Sequence, residues 1–448
     1  MHITALPCMR AMFRVFEVSA LNVFYRCFLV GIHVAIAVAC FPSHAAEMPA
    51  TAATEALTLE QAVSLALART PQLLAQAAAV EAAQEQSVAA GRLPDPELLV
   101  GVDNLPVTGE DAWSVERDFM TMRKIGVMQS FPNSRKRAAQ RERAAATVSL
   151  AQSEDRLLRV TVGRSAADAW VMAQASELVL ARLRQLEPEV ELQAQAARVA
   201  LANARGSTVD ALAAQSEKVE LADRILEAQR EIHHARAELA RWIGDDALRP
   251  LAAAPSFREL PAPREQLLAS LHRHAALRKF DAQRAVAQSE IEVARAGRRP
   301  DWSTELAYSK RGDAFSDMIS LEFRVGLPLF SGNRQDREVS ARHADLARLE
   351  AEREAELRMH TAEVTSELAA WDAARSRMGL YENERLPLAR QRSQAALAGF
   401  QGGNVELNAV LASHVYEIEV LRGYADVVRE LGRTWVFLRY LDETQEPS

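Results

Sequence analysis

The 448-residue chain is 49% hydrophobic but only 6% aromatic and carries a formal net charge of −7. That balance suits a folded protein and gives no electrostatic case for a nucleic-acid partner. The 3 cysteines, Cys8, Cys27 and Cys40, all precede residue 47, which excludes a disulfide framework, a thiolate metal site and a cysteine nucleophile from everything downstream. Ala, Leu, Glu, Gln and Arg dominate the rest, a mixture that favours long helices over a sheet core.

At the N-terminus, Arg10, Arg14 and Arg26 precede an apolar stretch at 28–39. Ser43-His-Ala45 follows as a small-x-small cleavage site, so residues 1–46 read as a signal peptide cut near Ala45. Cys40 is a poor lipoprotein site, because the residue three before it is the small Ala37. No later segment approaches 18 unbroken apolar residues, so no membrane-spanning helix is expected downstream. Any entry into a membrane must use strands.

The body is written twice. The first repeat, 47–244, opens with a helical pattern from Leu59 and stops at the Gly91/Pro94 phrase. Strands are expected at about 97–103 and 122–131, where apolar residues alternate with polar ones. A nearly continuous helical pattern then runs from Arg135 to about Ala204, interrupted only by Pro188. It turns at Gly206 and returns from Val209 to Trp242. A Pro- and Ala-rich linker occupies 245–263.

The second repeat, 264–442, follows the same order. Its stop phrase is Gly297/Pro300 and its strands are expected at about 302–310 and 318–327. A long helix containing Pro387 turns at Gly402-Gly403. Ala169-Trp170 answers Ala370-Trp371, and Pro188 answers Pro387, each proline predicting a kink or break. Residues 443–448 form a polar tail.

At about 1.5 Å per residue, the first long helix reaches on the order of 100 Å. Polar residues occupy much of its circumference, so neither helix pair is expected to build a thick core. Four strands cannot close a membrane barrel, whose smallest closed forms have about eight, and open edges are not tolerated in lipid. The strands must be shared between copies, and a closed ring also partners the helices.

This layout, with glycine at each hairpin tip, resembles the TolC-like outer-membrane efflux protein family from about Leu57 to Leu441. The phrases at 93–96, 103–106, 118–122 and 129–132 resemble its heavy-metal branch, typified by CzcC and CusC. The resemblance implies a mainly α fold with membrane β-strands, in which a helix–strand–strand–long helix hairpin repeat is duplicated. It implies a homotrimer with a 12-stranded β-barrel in outer-membrane lipid and a periplasmic α-helical barrel. It further implies a passive exit duct for heavy-metal cations, working with a periplasmic adaptor protein and an inner-membrane RND pump.

By that resemblance the tips Arg205, Gly206, Ser207, Gly402, Gly403 and Asn404 contact the adaptor. Asp210 and Glu406, four residues past matching glycines, are candidate acids of a periplasmic gate. As plain helix-start carboxylates they would serve the macrodipole.

No catalytic constellation, phosphate loop or helical zinc motif occurs, so no enzyme, cofactor or resident metal is expected. Met120, Met122, Met128 and Met318 offer thioethers suited to soft cations, although methionine is more often apolar filling. His233-His234 and His272-x-His274 have metal-ligating chemistry but read as exposed helix histidines. Export of organic toxicants by the same architecture is the alternative cargo. A periplasmic adaptor is the alternative class, but it would show one hairpin flanked by lipoyl-like segments and not two copies.

Overall fold

The computed structural model describes residues 55–204 and 206–441. The expected signal peptide with its cysteines, the hairpin residue Arg205 and the C-terminal tail lie outside them. Among the described residues no helix is long and apolar enough to cross a membrane.

Helix α1 (Leu59–Arg69) starts at a capping box: the Thr58 hydroxyl accepts from the Gln61 amide, and the Gln61 side chain accepts from the Thr58 amide. This satisfies two amides that the first turn leaves free. Helix α2 (Pro71–Ala89) follows directly, with proline in its first turn, where no donor is needed. Strands β1 (Glu97–Asp103) and β2 (Met122–Phe131) lead into α3 (Ser134–Ala202), a helix of 69 residues. It contains Pro188 in its interior. Helix α4 (Thr208–Ile243) returns alongside it.

The second half runs α5 (Arg264–Ala269), α6 (Ala275–Ala296), β3 (Trp302–Lys310), β4 (Met318–Val325) and α7 (Gln335–Leu380). It ends with α8 (Leu386–Gln401) and α9 (Leu407–Arg439). The break expected near Pro387 is a π-helical turn over Tyr381–Arg385, after which the proline falls in the first turn of α8. Three strands have the expected bounds, but β4 ends at Val325 and not at 327. The Gly326 amide still donates in register to the Asp301 carbonyl, but Pro328, at the next amide position of the ladder, has no amide to give.

The four strands form one antiparallel sheet in the order β1-β2-β3-β4. Both outer edges, β1 and β4, lack a partner strand among the described residues.

The expectation of a thin core needs correction. One substantial apolar cluster gathers α1, the middle of α3, the end of α4, α7 and the C-terminal half of α9. The linker contributes Leu251, Ala254, Phe257 and Leu260 to it. The whole-helix view of α3 missed this because its apolar residues are concentrated over Val162–Val171, with Trp170 fully buried. Trp170 Nε1 donates to the Leu57 carbonyl at 3.0 Å, and Trp371 Nε1 donates to the Phe257 carbonyl at 3.0 Å. Each half thus ties its entry segment to its long helix by the same bond.

The start of α3 is bound to the other half of the chain. The Asn133 side chain caps the Lys136 amide, while the Asn133 amide donates to Asp301 Oδ1 at 2.8 Å. Lys136 Nζ meets Asp301 Oδ2 at 2.8 Å. One carboxylate before β3 therefore fixes the exit of β2.

Candidate functional site

The sheet has two chemically opposed faces. Alternation and register put Leu98, Val100, Val102, Ile125, Val127, Leu306, Tyr308, Ile319, Leu321, Phe323 and Val325 on one face. All of them are exposed, Val100 to 75% and Ile319 to 76%. In water such a face would be a liability far beyond the scattered apolar surface of ordinary proteins. At the helix-proximal end of the sheet, Phe131 stacks on Trp302 with centroids 4.1 Å apart and planes at 13°. The amphipathic indole of Trp302 at that level suits a lipid–water boundary.

The opposite face is polar. Glu305 on β3 is only 4% exposed. Its Oε1 meets Lys124 Nζ of β2 at 2.6 Å and its Oε2 meets Arg324 Nη2 of β4 at 2.7 Å. Arg324 Nε also meets Glu322 Oε1 at 2.6 Å. Gly126 lies opposite Ala307 on this face, with Ser130, Ser303, Ser309 and Ser320, and its apolar members are Leu99 and the methionines Met122, Met128 and Met318. A Cβ at Gly126 would lie 2.8 Å from the Ala307 Cβ, so only glycine permits this approach of β2 to β3.

The two hairpin tips lie side by side. Ala194 and Ala197 of α3 and Ala214 of α4 pack with Leu407 and Val410 of α9 and with Leu397 and Phe400 of α8. In the first tip the left-handed backbone falls on Ala204, with φ 54°, and Gly206 serves by close approach to Ala200. In the second tip Gly403 takes the left-handed conformation, with φ 74°, and the Asn404 amide donates to the Gly399 carbonyl. Gly402 sits just past the end of α8. The Ser207 hydroxyl accepts from the Asp210 amide and the Ser207 amide donates to Asp210 Oδ2 at 3.3 Å, a capping box that opens α4. Glu406 stands at the N-cap of α9 without a side-chain cap bond.

A buried polar group that no sequence pattern marked lies where α3, α4 and α9 meet. Gln193 Nε2 lies 3.1 Å from His414 Nε2, and His414 Nδ1 lies 3.7 Å from Glu217 Oε1. All three residues are buried. Burial pushes the Glu217 carboxyl up to about 7, with Glu220 adding to the rise and Arg224 opposing it. Burial holds the His414 imidazole below its ordinary value, against the pull of Glu189 and Glu417. Lower on α3, burial also raises Asp168 to about 6, opposed by Arg164 and Arg433. One polar position in an apolar-periodic helix is indistinguishable from surface until three helices bring such positions together.

The metal-chemistry residues disperse. His233 and His234 are exposed on α4, and His272 is exposed while His274 is buried against His360, Nδ1 to Nε2 at 2.6 Å. Met128 accepts from Arg324, Met120 is in the β1–β2 loop, and β3 separates Met122 from Met318.

No protein-family profile matches the sequence, and none of the curated proteins does. Solved structures do match. The outer-membrane channel OprN aligns at 17% identity with a TM-score of 0.73, covering 87% of this chain and 91% of that one. CusC aligns at 16% identity with a TM-score of 0.71, covering 86% and 92%. VceC, an outer membrane protein of Vibrio cholerae, aligns at 18% identity with a TM-score of 0.71, covering 86% and 95%. The chain has the TolC-like channel fold. Its match over most of both chain lengths places the sheet, the long helices and the paired tips of this chain within that one TolC-like architecture. At such identities the likeness is one of fold, and the chemistry above comes from this chain's own residues.

Proposed function

We propose that the chain is a subunit of an outer-membrane efflux channel, a passive exit duct and not an enzyme. The observation that carries this reading is the sheet's fully exposed apolar face, joined to helices of up to 69 residues that are largely polar. Lipid is the solvent in which that face is stable, and the open edges of β1 and β4 require neighbouring strands there. Three copies, contributing four strands each, make the 12-stranded barrel, with α3, α4, α7, α8 and α9 forming a periplasmic helical conduit.

The paired tips with Arg205, Gly206, Ser207, Gly402, Gly403 and Asn404 dock a periplasmic adaptor that engages an inner-membrane RND pump. Asp210 and Glu406, at the starts of the two returning helices, act there as gate acids. The cargo is heavy-metal cations. Support for this comes from the sequence phrases of the heavy-metal branch and from the polar sheet face, where Glu97, Asp103, Glu305 and Glu322 outnumber Lys124 and Arg324.

Fractionation tests the channel reading. The expected result is extraction by detergent from outer membranes, with the native mass of a trimer. Recovery of a water-soluble monomer would overturn it. Deleting the gene and profiling sensitivity to metal cations and to organic toxicants tests the cargo; sensitisation only to organic compounds would refute the metal assignment.

A further inference from the structure

On the polar face of the sheet, charged side chains form a chain across three strands. Lys124 of β2 meets Glu305 of β3, Glu305 meets Arg324 of β4, and Arg324 meets Glu322 of the same strand. The register makes the first of these contacts unusual. Lys124 is paired with Ser309 and Glu305 with Met128, so the two lie four positions apart along the strands. Their side chains close that gap by leaning towards each other over the intervening pair, Gly126 and Ala307. Neither of those residues has the bulk to block the path, and a Cβ at Gly126 would already collide with Ala307. Glu305 is the sequestered member: its side chain is 5% exposed, against 24% for Lys124 and 51% for Arg324.

We infer that Glu305 determines the charge selectivity of the pore lumen, by holding Lys124 and Arg324 against the wall, where it and Glu322 together offset their two charges. The inference rests on the channel reading, which turns this face towards the pore. Among the charged groups of this face, Glu97, Asp103 and Glu322 are acidic. With both cations occupied by Glu305 and Glu322, the wall presents Glu97 and Asp103 to a passing ion and favours cations. Without Glu305, the Lys124 ammonium on β2 loses this partner and the Arg324 guanidinium on β4 keeps only Glu322, in every subunit.

The experiment is the reversal potential of the purified protein in a planar lipid bilayer across a potassium chloride gradient. Glu305→Gln is expected to lower the potassium-to-chloride permeability ratio by about two-fold or more. The double variant Lys124→Gln/Arg324→Gln keeps Glu305 and removes its partners, and is expected to raise the ratio by a similar factor. A purely structural role predicts no such opposition, so unchanged ratios, or shifts of the same sign, overturn the inference. If Glu305→Gln fails to fold, the double variant decides by the direction of its own shift. In the wild-type protein in micelles, Lys124 is also expected to react with an amine-acylating reagent more slowly than the exposed Lys310, as read by mass spectrometry. Equal rates count against the inference. A wild-type protein that folds in bilayers but passes no current refutes the channel reading itself, a separate outcome.

Discussion

An arginine placed on the apolar face of the sheet separates lipid from water directly. Leu98, Val127, Leu306 and Leu321 form one row across the four strands, and Leu321 lies mid-strand on β4 with 61% exposure. In the channel reading that row meets lipid near mid-depth, where Leu321→Arg costs about 2–4 kcal/mol per subunit. At about 1.4 kcal/mol per decade, this lowers the folding equilibrium into lipid by roughly 30- to 700-fold per subunit. Ser320, the adjacent residue, points to the polar face, so Ser320→Arg is expected to fold nearly as well as the parent. Refolding into lipid vesicles, with the folded fraction read from heat-modifiable gel mobility, compares them. If Leu321→Arg folds as the parent does while Ser320→Arg fails, the faces are assigned backwards.

The buried Glu217 gives a pH signature. Its folded value is raised from 4.5 to about 7, so its cost to stability is absent below pH 4.5, grows to about pH 7 and is then fully present. Glu217→Gln is therefore expected to match the parent at pH 4 and exceed it by about 2 kcal/mol at pH 8, after allowance for screening by nearby solvent, in denaturant melts followed by circular dichroism. A difference independent of pH would refute the assignment. Trp371→Phe leaves the Phe257 carbonyl without its buried donor and is expected to cost about 1–3 kcal/mol in the same melts. Gly126→Val forces β2 from β3 and is expected to abolish folded trimer on gels, whereas Gly101→Val, where open space surrounds the added atom, is tolerated.

The strands and long helices were legible because each depends on local periodicity. Alternation marked the stretches that become β1 to β3, and the long run from Arg135 holds only the isolated Gly163, with no glycine–proline stop, before the tip. Alternation alone carried β4 two residues too far: Gly326 still bonds in register to Asp301, and the ladder stops where Pro328 has no amide to give. Of the candidate site, the glycines at the tips were visible, yet the left-handed residue in the first tip is Ala204, a position sequence reading assigns to the helix. Neither the Glu305 chain nor the Gln193–His414–Glu217 group was legible. Each joins residues far apart in sequence whose neighbours are ordinary for their element.

The twin tryptophan bonds carry a consequence for how the two halves are free to differ. Trp170 and Trp371 clamp their entry segments identically at the waist, while the tips reverse through an alanine in one half and a glycine in the other. Each bond ties an entry segment to its own long helix, so the same lesion is open to either half. The halves therefore match where the entry segments are clamped and differ at the hairpin ends, so a partner reading the ends meets two unlike turns held side by side.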